Sequence, residues 1–474
     1  MNDNNPAISR RNVLAGAAML GTVPIIGTTA ANAEEDSHGP GDDRRVPSDI
    51  RAMLREINPR NIERTINKLV SFGTRNTLSS QDHPTRGIGA ARDWLFAEFQ
   101  KVAATSGGRM TVELQSYIQD VGPRIPVPTP ITNVVATLRS APGAADARTY
   151  VVSGHYDSMP TVVTDFTMDA PGANDDASGT AAALEMARVM ATRPFDQTIV
   201  FMAVAGEEQG LFGSNFYATQ AKANGINVAG MFTNDIIGSS VGQSGVRDPF
   251  TIRCFGEGIQ NPANTALETD WRRFGGWEIE SPPRQLARYI KDVAENDATR
   301  MKVKIVYRRD RYGRGGDHIP FLQQGFTAVR FTEPNEDYRH QHINVEVQNG
   351  VQLGDLPEFC DFDYIARAAR VNAIALANLA RSPATPTGAL FNTAGLRADT
   401  VLRWNANTEA NLAGYEIVTR DTTDLEWEDV LPVGNVTTVT LPLVNKDNFS
   451  FGVRAVNTAG YRSPVAYPAS STAI

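Results

Sequence analysis

The feature that most constrains the fold is an apolar run, residues 198–206, that leads directly into the acidic pair Glu207 and Glu208. A short apolar run of this kind is typical of a buried strand. A strand that ends in two carboxylates places them at the carboxyl edge of a sheet, where open α/β folds bind their ligands. Because unpaired carboxylates beside apolar strands are costly, we expect a metal ion or a substrate proton close to this pair.

Polar side chains of the same kind follow three other apolar runs. They are His155 and Asp157 after residues 149–154, Asp235 after residues 229–234, and His340 and His342 beyond residues 326–331. Asp175 and Asp176 precede an Ala-rich run and predict the start of a helix. A set of histidines and carboxylates suits zinc better than magnesium, so the sequence predicts a zinc site at these strand ends.

Strand and helix patterns alternate from a proline-rich loop at residues 123–130 to about residue 331, which indicates βαβ units. Amphipathic helices are predicted at residues 48–72 and 90–104, and a closing helix at residues 362–381. The expected fold class is therefore α/β, with a mixed, mostly parallel sheet that has helices on both faces.

The C-terminal part of the chain has a different character. Residues 382–388 have the composition of a linker. Short alternating runs separated by turn residues then follow, at residues 401–404, 414–419, 437–441 and 449–456. They predict an all-β sandwich over residues 388–474, which resembles a fibronectin type III module and could contact a surface or polymer. We expect Trp404 and Tyr415 to be core residues of this module rather than binding residues.

The N-terminus has the pattern of an export signal. Arg10 and Arg11 follow a serine and precede an apolar stretch and a small-x-small cleavage site, which predicts a twin-arginine-type signal peptide over residues 1–33. The alternative is a membrane anchor, but the Gly and Ala content of the stretch favours cleavage. Residues 34–46 are predicted to be a linker. The expected location is periplasmic or secreted, with no membrane span in the mature chain.

Composition excludes several classes of protein. The 474 residues are enough for more than one domain, and the net charge of −8 argues against a nucleic-acid partner. With two cysteines, Cys254 and Cys360, the chain cannot form a cysteine-rich zinc site. These two residues could form a disulfide after export or remain free thiols.

The predicted ligands divide into two metal positions. Two ions held roughly 3.5–4 Å apart can share a water and act on both sides of a scissile carbonyl. Asp175 is placed to bridge them, His155 and Asp235 could complete one position, and Glu208 with a C-terminal histidine the other. Glu207 would then lie beside the ions and move the proton of the water. Asp157 would hold the imidazole of His155 in the ligating tautomer.

These motifs, taken in order, resemble the co-catalytic di-zinc exopeptidases, a group that includes the bacterial leucyl aminopeptidases and the glutamate carboxypeptidases. The resemblance covers about residues 50–381 and assigns residues 47–382 to the peptidase domain. It implies the same ligand set, two zinc ions per chain, peptide substrates and Glu207 as the general acid/base. It also implies a non-proline cis peptide between Asp175 and Asp176. Gly316, Asp317 and His318 match a family segment expected to shape the wall of the site.

The last zinc ligand has two candidates. His342 fits the Tyr-x-x-x-His alignment of the family and is favoured, whereas His340 with Asn344 mimics the usual spacing of a histidine and an acid. Asn344 would then stand where similar proteins have a carboxylate.

The expected function is that of an exported zinc aminopeptidase. A carboxypeptidase or dipeptidase on the same domain is the nearest alternative, followed by a non-catalytic binding protein and a single-zinc glutaminyl cyclase. Residues 308–314, which contain four arginines, are expected to be a solvated loop, with substrate carboxylate binding as the alternative.

Overall fold

The computed structural model describes residues 46–141, 148–259, 275–394 and 396–470. These residues form two compact units, 46–382 and 383–470. The predicted signal peptide and residues 34–45 of the predicted linker lie outside the described residues. No helix in the described ranges is long and apolar enough to cross a membrane.

The first unit is built around one eight-stranded sheet. Its strands are β1 (Met110–Gln119), β2 (Thr129–Leu138), β3 (Arg148–His155), β4 (Thr198–Val204), β5 (Asn227–Asn234), β6 (Thr251–Gly256), β7 (Lys302–Val306) and β8 (Ala328–Thr332). They are arranged in the order β1-β2-β4-β3-β5-β8-β6-β7. The four central strands, β4, β3, β5 and β8, run parallel, whereas β1, β2 and β6 introduce antiparallel pairs. The predicted mixed, mostly parallel sheet is confirmed.

The helices of this unit cover the sheet. They are α1 (Ser48–Glu56), α2 (Pro59–Val70), α3 (Ile88–Ala104), α4 (Ala177–Met190), α5 (Glu207–Gly210), α6 (Phe212–Ala223), α7 (Pro282–Ala294), α8 (His318–Gln323) and α9 (Phe362–Leu379). A small hairpin, β9 (Glu346–Gln348) with β10 (Val351–Leu353), precedes α9.

Both faces of the sheet are buried under helices. Val151 clusters with residues of α6 and α8. Gly154 is on the opposite face, because successive residues of a strand alternate between faces. A Cβ built on Gly154 would lie 2.2 Å from the backbone of α4, so only glycine allows this helix to pack so closely. The helices on both faces are thus explained by the apolar character of both sides of β3.

The prediction of one helix over residues 48–72 is wrong in one respect. Two helices occupy this range, and they are separated at Ile57 and Asn58. Asn58 caps α2 by accepting a hydrogen bond from Arg60 N, and Pro59 begins the helix. Because the residue before a proline is disfavoured in the α conformation, α1 cannot continue through Asn58.

The second unit consists of two small, mainly antiparallel sheets. Its strands are β11 (Leu390–Phe391), β12 (Thr400–Arg403), β13 (Leu412–Asp421), β14 (Asp429–Gly434), β15 (Thr438–Leu441), β16 (Phe449–Asn457) and β17 (Ala469–Ser470). One sheet has the order β15-β12-β11-β17 and the other β14-β13-β16. One apolar cluster joins side chains of both sheets, which is the packing of a sandwich. The fibronectin type III resemblance of this unit stays a prediction.

Trp404 and Tyr415 lie in the core of the sandwich, as predicted. Both are buried, and their ring centroids are 5.2 Å apart in an edge-to-face arrangement. The hydroxyl of Tyr415 accepts a hydrogen bond from Asn407 N, so the polar end of the ring is satisfied inside the unit.

The two cysteines are free thiols in the first unit. Cys254 is buried in β6, and Cys360 is partly buried just before α9. Of the two outcomes that the sequence leaves open, the structure has the free thiols.

Candidate metal centre

The predicted ligands come together at the carboxyl edge of the parallel strands. His155 is the last residue of β3, and Asp235 directly follows β5. Glu207 and Glu208 begin the short helix α5 beyond β4, and His342 lies on the segment that follows β8. Parallel strands end at the same edge, so residues far apart in the sequence meet there.

Asp175 lies between two histidines. Its Oδ1 is 3.1 Å from His155 Nε2, and its Oδ2 is 3.0 Å from His342 Nε2. Glu208 Oε2 is also 3.1 Å from His342 Nε2. The two oxygens of one carboxylate therefore face two different imidazoles.

Asp235 and Glu207 complete the cluster on the side of His155. One potential ligand atom from each of His155, Glu207 and Asp235 lies within 4.8 Å of the others, and the same holds for His155, Asp175 and Glu208. Glu207 thus lies beside His155 and Asp235.

The donor set fits zinc. Two imidazole nitrogens and several carboxylates are the ligands that zinc takes at catalytic sites. Glu208 Oε1 is buried without a hydrogen-bond partner, and His342 Nε2 makes no hydrogen bond although two carboxylate oxygens are within 3.1 Å. Such buried polar atoms are costly unless a ligand satisfies them, and a cation would satisfy both.

The electrostatics of the site also favour a cation. The charge of Glu208 raises the pKa of His342 to about 11; burial opposes this, and Asp175 adds to it. Burial raises the pKa of Glu207 well above its usual range, and although His155 opposes this, Asp235 and Glu208 add to it. The carboxylates thus repel one another in a buried site, and a divalent ion would offset that repulsion.

His342 and His340 occupy different places. His340 Nδ1 is 3.1 Å from the carbonyl oxygen of Gly354, and its ring stacks on Phe359 with centroids 3.6 Å apart. Asn344 accepts a hydrogen bond from Thr161 N, so its side chain joins two loops. The structure therefore brings His342, and not His340, to Asp175 and Glu208.

Sequence comparison assigns the chain to a family. Residues 133–345 match the model of peptidase family M28. A probable zinc metalloprotease of Leptosphaeria maculans is 50% identical over 420 residues, which cover 89% of this chain and 96% of the relative. The chain belongs to peptidase family M28. As a member, it is a zinc metalloprotease.

Two further comparisons concern a second relative and a solved structure. A probable zinc metalloprotease of Pyrenophora tritici-repentis is 50% identical over 422 residues, 89% of this chain and 86% of the relative. The solved structure of the LapA aminopeptidase of Legionella pneumophila matches with a TM-score of 0.50 and 19% identity, over 75% of this chain and 82% of that chain. The last comparison is a likeness of fold alone.

Asp157 connects the segment of His155 with the start of α5, which carries Glu207 and Glu208. Its carboxylate accepts hydrogen bonds from Glu207 N at 3.3 Å and Glu208 N at 3.1 Å, and one from the Thr77 hydroxyl. The same carboxylate is 3.6 Å from His155 Nδ1, whereas the carbonyl oxygen of Asp157 is closer, at 3.1 Å. The predicted contact with the imidazole is thus made mainly by the backbone, and the side chain holds the start of α5.

The adjacent carboxylates Asp175 and Asp176 face different partners. Asp176 caps α4 by accepting from Gly179 N, and its other oxygen accepts from His155 N. The peptide bond between the two residues is cis, as the family resemblance implies.

Three buried residues of the site were missed by sequence reasoning. Asp355 accepts hydrogen bonds from Asn174 N at 2.8 Å and Asp175 N at 2.7 Å. Arg75 donates to the carbonyl oxygens of residues 156, 171 and 172. Arg330 is 2.9 Å from Asp235 Oδ1. Each contact joins distant parts of the chain, and no local pattern marks such a residue.

The segment of Gly316, Asp317 and His318 is buried next to the site. Both carboxylate oxygens of Asp317 lack a hydrogen-bond partner. Burial raises the pKa of Asp317 to about 7; His155 opposes this rise, and Asp157 and Asp235 add to it. His318 Nε2 is 2.9 Å from the carbonyl oxygen of Arg309 and so helps to hold residues 308–314. This placement agrees with a wall of the site.

Proposed function

We propose that this M28 metalloprotease is an aminopeptidase that holds two zinc ions and releases N-terminal residues from peptides. The observation that carries the proposal is the position of Asp175, whose two oxygens face His155 Nε2 at 3.1 Å and His342 Nε2 at 3.0 Å. A single-metal site, as in a glutaminyl cyclase, needs only one of these histidines.

The residues that would hold the ions follow from these distances. His155 and Asp235 would hold one zinc ion, Glu208 and His342 the other, and Asp175 both. When bound, zinc supplies Lewis acidity, which polarises the scissile carbonyl and lowers the pKa of an attacking water.

Glu207 is the residue that we assign to proton transfer. It is partly buried, and its pKa is raised well above the usual range by burial first, with Asp235 and Glu208 adding to the effect. A carboxylate beside the candidate ligands can take a proton from water and return it to the departing amine. Its backbone N–H is held by Asp157, which fixes where α5 begins.

The alternatives are a carboxypeptidase or dipeptidase, which differs from an aminopeptidase in the peptide terminus that it requires, and a non-catalytic binding protein. A carboxypeptidase or dipeptidase would use the same residues, since the metal ligands do not distinguish these activities. A non-catalytic binding protein would have no use for a partly buried carboxylate like Glu207 beside a nearly complete ligand set. We also propose export, on the basis of Arg10 and Arg11 and the apolar stretch that follows them.

The test is a substrate panel combined with a zinc count. Amino-acid p-nitroanilides and matched N-blocked peptides are incubated with the full-length mature chain, before and after chelation. Hydrolysis of free-amine substrates only, lost on chelation and restored with about two zinc ions per chain, is the expected result. Cleavage of N-blocked peptides would replace the aminopeptidase with a carboxypeptidase.

The variant Glu207→Gln tests the catalytic assignment. Because the amide cannot accept the proton, we expect turnover to fall by about 10²–10⁴-fold or more, with zinc content unchanged. Wild-type turnover in this variant would refute the role of Glu207, whereas loss of zinc would mean that Glu207 is a ligand.

A further inference from the structure

An arginine-rich segment lies against the metal centre. We call residues 308–314 the arginine loop; it contains Arg308, Arg309, Arg311 and Arg314 and one acid, Asp310. Asp310 is 3.1 Å from Arg330, and the other arm of Arg330 is 2.9 Å from the candidate ligand Asp235. Arg330 also donates to the carbonyl oxygen of Gly315, directly after the loop. The loop is therefore anchored to the metal centre through one buried arginine.

Arginines outnumber carboxylates in the ion pairs around this loop. Glu336 is the one described carboxylate that faces three guanidinium groups, those of Arg253 at 2.6 Å, Arg311 at 2.7 Å and Arg314 at 3.6 Å. Asp310, the acid of the loop itself, is 3.1 Å from Arg330 and 3.5 Å from Arg311, and Glu257 is 3.8 Å from Arg309. Arginines are thus concentrated at this loop in a chain whose net charge is −8.

Of the three arginines that face Glu336, Arg314 is the farthest from it and has the most exposed side chain. Its side chain is 25% exposed, against 16% for Arg253 and 8% for Arg311. Among the described residues, its guanidinium makes one hydrogen bond, to Gln341 Oε1 at 3.0 Å. The remaining N–H groups of Arg314 are therefore available to an acceptor from outside the chain.

Arg314 is connected to two segments of the metal centre. Its partner Gln341 directly precedes His342. The next residue, Gly315, approaches Leu211, since a Cβ built on Gly315 would lie 3.8 Å from Leu211 Cδ1. Leu211 in turn donates its backbone N–H to Glu207 O at 2.9 Å. Arg314 thus contacts the residue before the candidate ligand His342, and the residue after Arg314 approaches the segment of the candidate base Glu207.

We propose that Arg314 binds a carboxylate of the substrate and that the enzyme prefers peptides that carry one close to the scissile bond. The inference rests on the proposed peptidase function and names its substrate class. The carboxylate can come from an acidic side chain at the N-terminal residue or from the free C-terminus of a short peptide. A guanidinium suits either source because its N–H groups match the two oxygens of a carboxylate.

The test compares substrates that differ only in charge. Glutamyl and glutaminyl p-nitroanilide differ by a carboxylate in place of an amide, and a leucyl dipeptide is compared with its C-terminal amide. The kcat/KM ratio within each pair is measured for the wild type, Arg314→Gln and Arg314→Lys. Arg309→Gln is the matched control, because Arg309 belongs to the same loop but faces Glu257, at 3.8 Å.

The wild type should favour the charged member of one pair. Arg314→Gln should reduce that ratio by about ten- to a hundredfold, the effect of removing one charge-assisted hydrogen bond. Arg314→Lys should recover part of it, and Arg309→Gln should leave it unchanged. The pair that responds identifies the source of the carboxylate. Added salt should also lower the wild-type ratio, since a partly exposed charge is screened.

Ratios that are the same in Arg314→Gln and the wild type for both pairs would overturn the proposal. Zinc-dependent hydrolysis of the uncharged substrates would continue in that case, so the peptidase function would stand. If no substrate is turned over, calorimetric binding to the zinc-loaded wild type and Arg314→Gln is compared for the α-amides of glutamate and glutamine, and for leucine against leucine amide. Equal affinities in that experiment would also refute the role of Arg314.

Discussion

Replacing Asp157 by Asn should weaken zinc binding and destabilise the first unit together. The carboxylate of Asp157 is buried and accepts hydrogen bonds from Glu207 N, Glu208 N and the Thr77 hydroxyl. An asparagine at this position has the same shape but offers one oxygen and one NH₂ group. One of the two backbone N–H groups must then face a donor.

The magnitude follows from that count. A buried N–H that loses its acceptor costs about 1–3 kcal/mol, so the free energy of unfolding should fall by about that amount. The start of α5 carries Glu207 and Glu208, and the negative charge near His155 Nδ1, 3.6 Å away, is lost as well. Residues that support metal ligands in this way typically contribute about 10–100-fold to metal affinity.

Two measurements separate these effects. Urea unfolding of the zinc-free chain gives the stability term, and competition with a chromophoric chelator gives the zinc affinity. Thr77→Val is the matched control, because it removes one 3.3 Å hydrogen bond to the same carboxylate and leaves both backbone N–H groups paired. It should cost about 0.5–1.5 kcal/mol without a change in zinc affinity.

The reasoning fails if Asp157→Asn binds zinc as tightly as the wild type. A stability loss alone would mean that Asp157 holds the loop without influencing the ligands. No change in either quantity would mean that the contacts of the carboxylate with α5 are not made in solution.

Two other predictions concern the last ligand and the second unit. His342→Ala should lower the zinc content of the chain, measured by metal analysis after dialysis, whereas His340→Ala should not; the reverse result would exchange their roles. In the second unit, burial raises the pKa of Glu416, but hydrogen bonds and charge from two arginine side chains outweigh this and lower it overall. The stabilisation that ionised Glu416 gives to the folded unit is therefore complete above the pKa of Glu416 in the unfolded state, about 4.3. It is lost as the pH falls through the lower pKa of the folded state. This window lies at about pH 3 to pH 5. When the pH is lowered across it, the urea midpoint of the full chain should drop less in Glu416→Gln than in the wild type.

The strand ends of the site could be predicted because each is a local pattern. An apolar run followed by His155, by Glu207 and Glu208 or by Asp235 is visible within ten residues of sequence, and parallel strands bring such ends together. The choice between His340 and His342 needs the geometry of the segment after β8, which hydrophobic periodicity does not determine. The resemblance to a known family, and not the pattern alone, favoured His342.

The buried supports of the site could not be predicted. Arg75 and Arg330 look like ordinary charged residues in the sequence, and burial of an arginine is decided by partners that the fold supplies. Asp355 reaches Asp175 N across 180 residues. The break at Pro59, in contrast, had a readable signal, since an Asn-Pro pair combines a helix cap with a residue typical of the first helical turn.

The second unit was predicted in outline. The runs that became β12, β13, β15 and β16 alternate clearly, whereas β14 contains a proline and is largely exposed. Its strand character comes from pairing with β13. An exposed edge strand that contains a proline shows little hydrophobic alternation, so a prediction based on that alternation misses it.

The hydrogen bond between Asp355 and Asp175 has a consequence for folding. Closing a loop of 180 residues costs entropy that is recovered only after much of the sheet has formed. The candidate zinc ligands are therefore in place only in nearly native molecules, and zinc can stabilise few earlier states. A ligand that binds the native state alone acts mainly by slowing unfolding. The lifetime of the folded molecule would then depend on keeping its metal more than on how fast it folded.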